Sequence, residues 1–178
     1  MESMSGGRAR AIVVMGVSAA GKSTIAARLA GELGCRWIDA DDLHPASNVA
    51  KMAAGEPLTD DDRWPWLDEV GRRLANDAGR GIVIACSALR RAYRDRIRRL
   101  APEAVFVHLT AAPELLERRA AARTGHFMPA SLLASQIALL EHLDDDEVGV
   151  AVDVAADIPA IVGTARDWIL ARERGASS

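Results

Sequence analysis

The sequence has few cysteines and no metal-binding pattern. Only Cys35 and Cys86 occur among its 178 residues, and they lie too far apart for the paired spacing of zinc or redox motifs. The four histidines show no ligand spacing either. We therefore expect two reduced, buried thiols, with no disulfide and no zinc site.

Long apolar runs are also missing. No stretch approaches the roughly 18 residues that a membrane-spanning helix needs. Residues 1–10 are small and polar and do not resemble a signal peptide. The formal net charge of −3 favours neither nucleic acid nor a membrane surface. We expect a cytoplasmic protein that binds neither.

Lysine is scarce beside arginine. Of the 22 basic residues only Lys22 and Lys51 are lysines. A chain with this bias keeps lysine where a compact, flexible ammonium does what a planar guanidinium cannot. This is a hint that one or both lysines serve a function.

Apolar runs that are typical of buried strands alternate with helical patterns along the whole chain. This alternation predicts a three-layer α/β/α fold with a five-stranded, mainly parallel sheet. The length fits a single domain over residues 1–178, with loose tails at 1–8 and 175–178. The predicted strands are 10–15, 36–39, 81–86, 104–109 and 148–154. The predicted helices are 22–33, 46–54, one capped by Thr59, 89–100, 113–123, 129–141 and one around 161–169.

Residues 16–23, GVSAAGKS, match the phosphate-loop pattern G-x-x-x-x-G-K-[ST], with a predicted strand before it and a helix after it. The glycines let successive backbone N–H groups point at one phosphate, and the helix N-terminus adds its dipole. Lys22 would reach the β- and γ-phosphates, and the Ser23 hydroxyl would hold Mg²⁺. The sequence therefore predicts an ATP site. Its predicted contacts are Gly16, Ser18, Ala19, Ala20, Gly21, Lys22, Ser23 and Thr24.

An Asp-x-Asp pattern follows the second predicted strand. Ligands of parallel sheets bind beyond the carboxyl ends of the strands, so Asp39 and Asp41 should face the nucleotide. We expect Asp39 to hold Mg²⁺ and Asp41 to accept the hydrogen bond of an attacking hydroxyl; for Asp42 a turn or cap role is the better interpretation. The sequence has no Asn-Lys-x-Asp stretch and no carboxylate on strand 81–86, which argues against a GTPase and a motor ATPase.

Longer motif blocks carry a family resemblance. They are Asp41-Asp42-Leu43-His44-Pro45, Asp60-Asp61-Asp62-Arg63, Cys86-Ser87-Ala88-Leu89-Arg90, Gly125-His126-Phe127 and Ser135-Gln136. Through these blocks, and over about residues 11–170, the sequence resembles the gluconate kinases. The resemblance implies conversion of ATP and D-gluconate to 6-phosphogluconate and ADP, usually by a homodimer. It also implies an adenylate- and shikimate-kinase-like fold with a mobile lid. Ala40 and Arg90 depart from the family, where Gly and Lys are common, and the second departure puts the substrate contact of Arg90 in question.

Two arginines favour a lid over about residues 119–130. Arg119 and Arg123 lie one helical turn apart, on one face, just before Gly125 interrupts the helix. They are placed to close over the phosphates and exclude water, and we expect them to act in catalysis.

An acidic polyhydroxy substrate needs one or two cations and several polar groups. We place its binding segment at about residues 41–77, and the candidate contacts, besides Asp41, are His44, Arg63, Ser87 and Arg90. Arg63 follows three aspartates at a helix start, and its planar fork suits a carboxylate; the alternative is that it pairs with those aspartates. For His44 the alternative is bracing the backbone, and Lys51 either meets substrate or caps its helix.

Alternative functions share parts of this pattern. Another small-molecule kinase, such as a shikimate or nucleoside-monophosphate kinase, shares the phosphate loop and the lid but lacks the block from 44 to 67. A nucleotide-binding module without turnover would not need Asp41 or the lid arginines.

The six arginines between 90 and 99 are better explained as a solvated face that pairs with acidic loops than as a nucleic-acid surface. Trp64 and Trp66 are expected in the core.

Overall fold

The computed structural model describes residues 9–122 and 130–177. Strands and helices alternate along the described chain, close to the predicted bounds. The strands are β1 (Ala11–Met15), β2 (Arg36–Asp39), β3 (Ile82–Ala85), β4 (Val105–Thr110) and β5 (Gly149–Asp153). The helices are α1 (Lys22–Leu33), α2 (Ala46–Ala53), α3 (Asp60–Asp77), α4 (Arg91–Leu100), α5 (Pro113–Ala122), α6 (Ala130–Leu139) and α7 (Ile158–Gly175). None of these described helices is long and apolar enough to cross a membrane.

The five strands form one sheet in the order β2-β3-β1-β4-β5, and every neighbouring pair is parallel. The central strand β1 places Val13 beside Ile84 of β3 and Phe106 of β4. All strands therefore end at the same edge of the sheet, where the phosphate loop, Asp39 and the segment after β3 come together. This is the edge at which open parallel sheets bind ligands.

Both faces of the sheet are buried, which confirms the three-layer prediction. On one face, β1 and β4 residues such as Val14 and Val107 pack with Leu29 of α1 and Ile161 of α7. On the other face, residues of the same strands pack against α3 and α4. The residues of this second layer include Val13, Met15, Ile84, Phe106, Leu67, Val70, Leu74 and Ile97. Because side chains alternate across a strand, a continuous apolar run supplies both layers at once.

Helix α3 begins with the predicted cap. The Thr59 side chain accepts the Asp62 N–H at 3.2 Å, and the Asp62 carboxylate accepts the Thr59 N–H at 2.9 Å. This capping box satisfies two donors that a helix start otherwise leaves open. Helix α3 packs closely on α4 at Gly71. The approach is so close that a Cβ at this position would lie 3.0 Å from the Leu100 Cβ.

The arginine-rich helix α4 differs in one respect from the solvated face that the sequence predicts. Arg91 and Arg98 do pair with the acidic segment that follows α6. Arg94, however, is fully buried rather than solvated, and its guanidinium binds the Glu147 carboxylate at 2.7 and 2.9 Å. A buried charge persists where a partner of opposite charge satisfies it. Burial alone would raise the pKa of Glu147, yet hydrogen bonds from Arg94, the Asp144 N–H and Arg98 lower it to about 2.

Candidate active site

The phosphate loop leaves the central strand through glycines that no other residue could replace without strain. Gly16 has φ +148°, and a Cβ there would lie 2.9 Å from the Leu109 carbonyl oxygen of β4. Gly21 has φ +88° and directly precedes the first residue of α1. Ala19 and Ala20 are buried between these glycines. The backbone thus turns tightly with only small side chains in the cradle, as a phosphate site requires.

A side chain from α6 is bound to the loop. The Gln136 side-chain oxygen accepts both the Ser18 N–H and the Ser18 hydroxyl, each at 2.8 Å. Leu133, one turn earlier on α6, lies in the same buried cluster as Ala19 and Ala20. The helix that follows the predicted lid therefore reaches the phosphate loop directly.

Lysine, hydroxyl and carboxylate meet beside the loop. The Lys22 ammonium donates to the Val17 carbonyl at 3.1 Å. The Ser23 hydroxyl donates to one Asp39 oxygen at 2.6 Å, and the other Asp39 oxygen accepts the Asp41 N–H at 2.9 Å. Asp39 therefore links the start of α1 to the turn that carries Asp41, while Thr24 is exposed next to Ser23.

The two aspartates interact electrostatically. Loss of hydration is the main cause that raises the pKa of Asp41, and the charges of Asp39 and Asp42 act in the same direction. The Lys22 charge opposes them, which places the lysine within electrostatic reach of Asp41. A carboxylate with a raised pKa is a stronger base than an ordinary aspartate, so Asp41 suits proton acceptance.

His44 packs against an indole. Its ring stacks on Trp66 with centroids 4.2 Å apart, and its Nδ1 lies 3.2 Å from the Asn48 side-chain nitrogen. Because that nitrogen is a donor, Nδ1 is the acceptor and the proton of a neutral ring is on Nε2. Trp66 is buried, as predicted, and donates to the Ala40 carbonyl at 2.7 Å. The pKa of His44 is lowered by desolvation and by the charge of Arg63, which favours the neutral ring.

Arg63 and Arg90 converge on a third residue, Asp60. One Asp60 oxygen accepts the Tyr93 hydroxyl at 2.6 Å and lies 3.4 Å from Arg63, while the other accepts from Arg90 at 2.9 Å. The alternative that Arg63 pairs with the preceding aspartates therefore holds for one of them, Asp60. Arg63 keeps an exposed side-chain fraction of 22% and Arg90 of 36%, so both side chains are partly open to solvent.

Other sequence-predicted residues occupy different surroundings. The Ser87 carbonyl accepts the Gly16 N–H at 3.3 Å, which brings the segment after β3 against the phosphate loop. Lys51 binds the Asp62 carboxylate at 2.9 and 3.0 Å, so it joins the cap of α3. Arg119 donates to the Val154 carbonyl at 2.8 Å, beyond the end of β5. Arg123 and most of the predicted lid lie outside the described residues.

The structure also contains a cavity away from this edge. It has a volume of about 820 Å³ and is lined by residues before and within β1, the loop before β4 and the last turns of α7. None of the predicted site residues lines it. The chemistry-bearing side chains are instead at the carboxyl ends of the strands, as the parallel topology requires.

Comparison with known proteins agrees with this geometry. A family profile described as an AAA domain matches residues 12–143. The gluconokinase of Gluconobacter oxydans is 47% identical over 153 residues, which cover 85% of this chain and 86% of that protein. The chain belongs to the gluconokinase family. A gluconokinase crystal structure from Sinorhizobium meliloti superposes with a TM-score of 0.87 at 44% identity and covers 95% of this chain and 96% of its own.

More distant similarity concerns the fold alone. The shikimate kinase of Aquifex aeolicus has a TM-score of 0.55 at 15% identity and covers 93% of this chain and 97% of its own. The predicted shikimate-kinase-like P-loop fold is therefore confirmed. The structure adds three residues to those that the sequence assigns to the site: Asp60, Tyr93 and Gln136. Gln136 was visible only as part of a family motif, and Asp60 only as one of three adjacent aspartates.

Proposed function

We propose that this chain phosphorylates D-gluconate with ATP, which gives 6-phospho-D-gluconate and ADP. The observation that carries the proposal is a pair of guanidiniums, Arg63 and Arg90, near the sheet edge that holds the phosphate loop. A sugar acid brings one carboxylate and a row of hydroxyls, and paired arginines recognise a carboxylate through planar, two-point hydrogen bonds. Relatives named gluconokinase support the same substrate.

The residues beside the loop supply transfer chemistry. Phosphoryl transfer depends on alignment and charge more than on covalent help. Lys22 neutralises charge on the transferring group, and Asp41 orients the attacking hydroxyl and accepts its proton. Gly16, Ser18, Ala19, Ala20, Gly21 and Thr24 complete the cradle around the phosphates.

The donor set beside the loop fits Mg²⁺. The Ser23 hydroxyl and the Asp39 carboxylate, 2.6 Å apart, are the hard oxygen ligands that this ion prefers. When bound, Mg²⁺ would neutralise charge on the phosphates. Ser23 and Asp39 would hold it, while Lys22 and Asp41 remain for the transferring group and the acceptor.

The acceptor side would hold gluconate through several contacts. Arg63 and Arg90 bind the carboxylate, and Ser87 and His44 contribute to the hydroxyls. Arg119 and Arg123, in a lid over about residues 119–130, close over the phosphates and exclude water. We also propose that the chain forms a single domain, acts as a homodimer in the cytoplasm, and binds neither nucleic acid nor membrane.

A coupled assay of ADP release tests the substrate. The panel contains D-gluconate, other sugar acids, a sugar alcohol, shikimate and nucleoside monophosphates, with an acceptor-free reaction as the control for ATP hydrolysis. We expect the highest kcat/KM with gluconate. Preference for shikimate or a nucleotide would favour a different small-molecule kinase, and no acceptor-dependent ADP release would favour a module without turnover.

A further inference from the structure

Asp60 and Tyr93 form one hydrogen-bonded unit between two arginines. Tyr93 donates its hydroxyl to Asp60 at 2.6 Å and accepts from Arg63 at 3.1 Å. The guanidinium carbons of Arg63 and Arg90 lie 5.5 and 5.7 Å from the centre of the Tyr93 ring. Both cations therefore contact the same ring and the same carboxylate.

The surroundings of Tyr93 fix this arrangement. The residue is only 3% exposed, and the ring meets the edge of Trp64 at 5.8 Å between centroids. Burial and the hydrogen bond to Asp60 raise the pKa of Tyr93, so the phenol stays protonated and keeps its donor at neutral pH. A phenol that both donates and accepts has no freedom to rotate away.

The arginines keep hydrogen-bonding capacity beyond this unit. Each uses a single terminal nitrogen on Asp60, and a guanidinium has five N–H donors in a planar fork. Arg90 additionally approaches Glu141 at 3.6 Å through Nε. The two positive charges of Arg63 and Arg90 face two carboxylates, those of Asp60 and Glu141. A substrate carboxylate would therefore be held by the N–H donors that these contacts leave over, and not by an excess of positive charge.

We propose that Asp60 and Tyr93 are positioning residues that hold Arg63 and Arg90 as a preformed fork for the carboxylate of the acceptor. The proposal rests on the function proposed above and names how that site selects an acid. Because the two long side chains are already ordered before the substrate binds, less conformational entropy is lost on binding. Asp60 and Tyr93 act through the arginines and need not touch the substrate.

The test compares Asp60→Asn and Tyr93→Phe with Asp61→Asn. Asp61 is exposed and lies in the same first turn of α3. The substitution Asp61→Asn removes the same charge, so this variant controls for net charge and for the helix dipole. We expect Asp60→Asn and Tyr93→Phe to raise KM for gluconate roughly tenfold, the order of one hydrogen bond to a charged group. KM for ATP, kcat and the melting temperature should change little, and Asp61→Asn should resemble the wild type.

Two further readouts separate positioning from a structural role. The ratio of kcat/KM for gluconate to that for a sugar alcohol should fall in both variants, since the alcohol lacks the carboxylate. The double variant should cost less than the sum of the two single changes, because Asp60 and Tyr93 bind each other and share Arg63 as a partner. Equal losses with acid and alcohol, or a parallel rise in KM for ATP, would show a structural role and overturn the proposal.

A lower KM for gluconate in Asp60→Asn would also overturn it, because Asp60 would then be an anion that competes with the substrate. The wild-type assay keeps the two proposals distinguishable. A wild-type enzyme that uses a different acid refutes gluconate as substrate, and the same ratios measured with that acid still test the fork. An enzyme without any acid substrate refutes both.

Discussion

The site has a nucleotide side, formed by the phosphate loop, and an acceptor side, formed around Asp60, Arg63 and Arg90. Different chemical groups form the two sides. On the nucleotide side, backbone N–H groups and small residues between Gly16 and Gly21 shape the cradle, and the charged residues Lys22 and Asp39 lie beside it. On the acceptor side, charged side chains of α3 and of the residue before α4 bind one another, as in the contacts of Asp60 with Arg63 and Arg90. A phosphate cradle is set by backbone geometry and tolerates many substrates, whereas recognition of a particular acceptor needs individual side chains. The following predictions test this division, from the largest expected effect to the smallest.

Replacing Lys22 removes the main charge of the nucleotide side. We expect Lys22→Ala to lower kcat at least a hundredfold, because loss of one charge-stabilising contact in such a site costs about 3–4 kcal/mol. The fold should persist, since the cradle itself is made by backbone. Steady-state kinetics and circular dichroism measure the two effects, and near-normal turnover would contradict the phosphate-loop assignment.

Asp41 stands between the two sides. Asp41→Asn keeps the shape but removes the base, and we expect kcat to fall roughly a hundredfold with ATP binding retained, within the range for a general base. In the wild type, activity should fall on the acid side as Asp41 becomes protonated, at a pH above the ordinary aspartate pKa because its pKa is raised. Loss of Mg·ATP affinity with unchanged kcat would instead make Asp41 a metal residue and Asp39 the candidate base.

Acid should affect the layer beneath the acceptor side through His108. This histidine is fully buried on β4, both its ring nitrogens lack a hydrogen-bond partner among the described residues, and its ring lies 5.2 Å from that of His142. Desolvation, then the charges of His142 and Arg94, lower the pKa of His108 from 6.5 to about 4. The unfolded chain therefore binds the proton first, and stability is lost as pH falls from about 6.5 towards about 4. The loss amounts to about 3 kcal/mol.

Urea unfolding between pH 7 and pH 4.5 measures this loss. The His108→Leu variant keeps a similar side-chain volume without a titrating ring, so its stability should depend less on pH in that interval. Glu147, whose pKa is lowered to about 2, contributes stability that is lost only below its ordinary pKa of 4.5. An equal pH slope in wild type and variant would assign the acid sensitivity to other groups.

The smallest expected effect comes from a change in the shape of one charged group at constant charge. Arg63→Lys keeps the positive charge but loses the planar fork, and we expect KM for gluconate to rise roughly tenfold with KM for ATP unchanged. A sugar alcohol should be a poor substrate of the wild type and lose little further in the variant. Equal losses for acid and alcohol would make Arg90 the leading residue for the carboxylate.

The sequence predicted the nucleotide side more completely than the acceptor side. Gly16, Gly21 and Lys22 are neighbours along the chain, so their spacing alone predicts the loop. Adjacent residues likewise predict Thr59 as a helix cap. The contacts of Tyr93 with Asp60, of Arg94 with Glu147 and of Gln136 with Ser18 join residues 33 to 118 positions apart. Such contacts follow from the packing of elements, which local periodicity does not encode.

The central position of β1 has a consequence for how the enzyme is made. The partners of β1, strands β3 and β4, are both distant in sequence, as the pairs Ala11–Ile82 and Met15–His108 show. Strands paired over such distances form slowly, because long segments of chain must be ordered before the pairing stabilises them. Synthesis proceeds from the N-terminus, so β1 is made before both of its partners and waits for them. A nascent polypeptide that ends before Val105 carries the whole phosphate-loop sequence while β1 still lacks its neighbour β4.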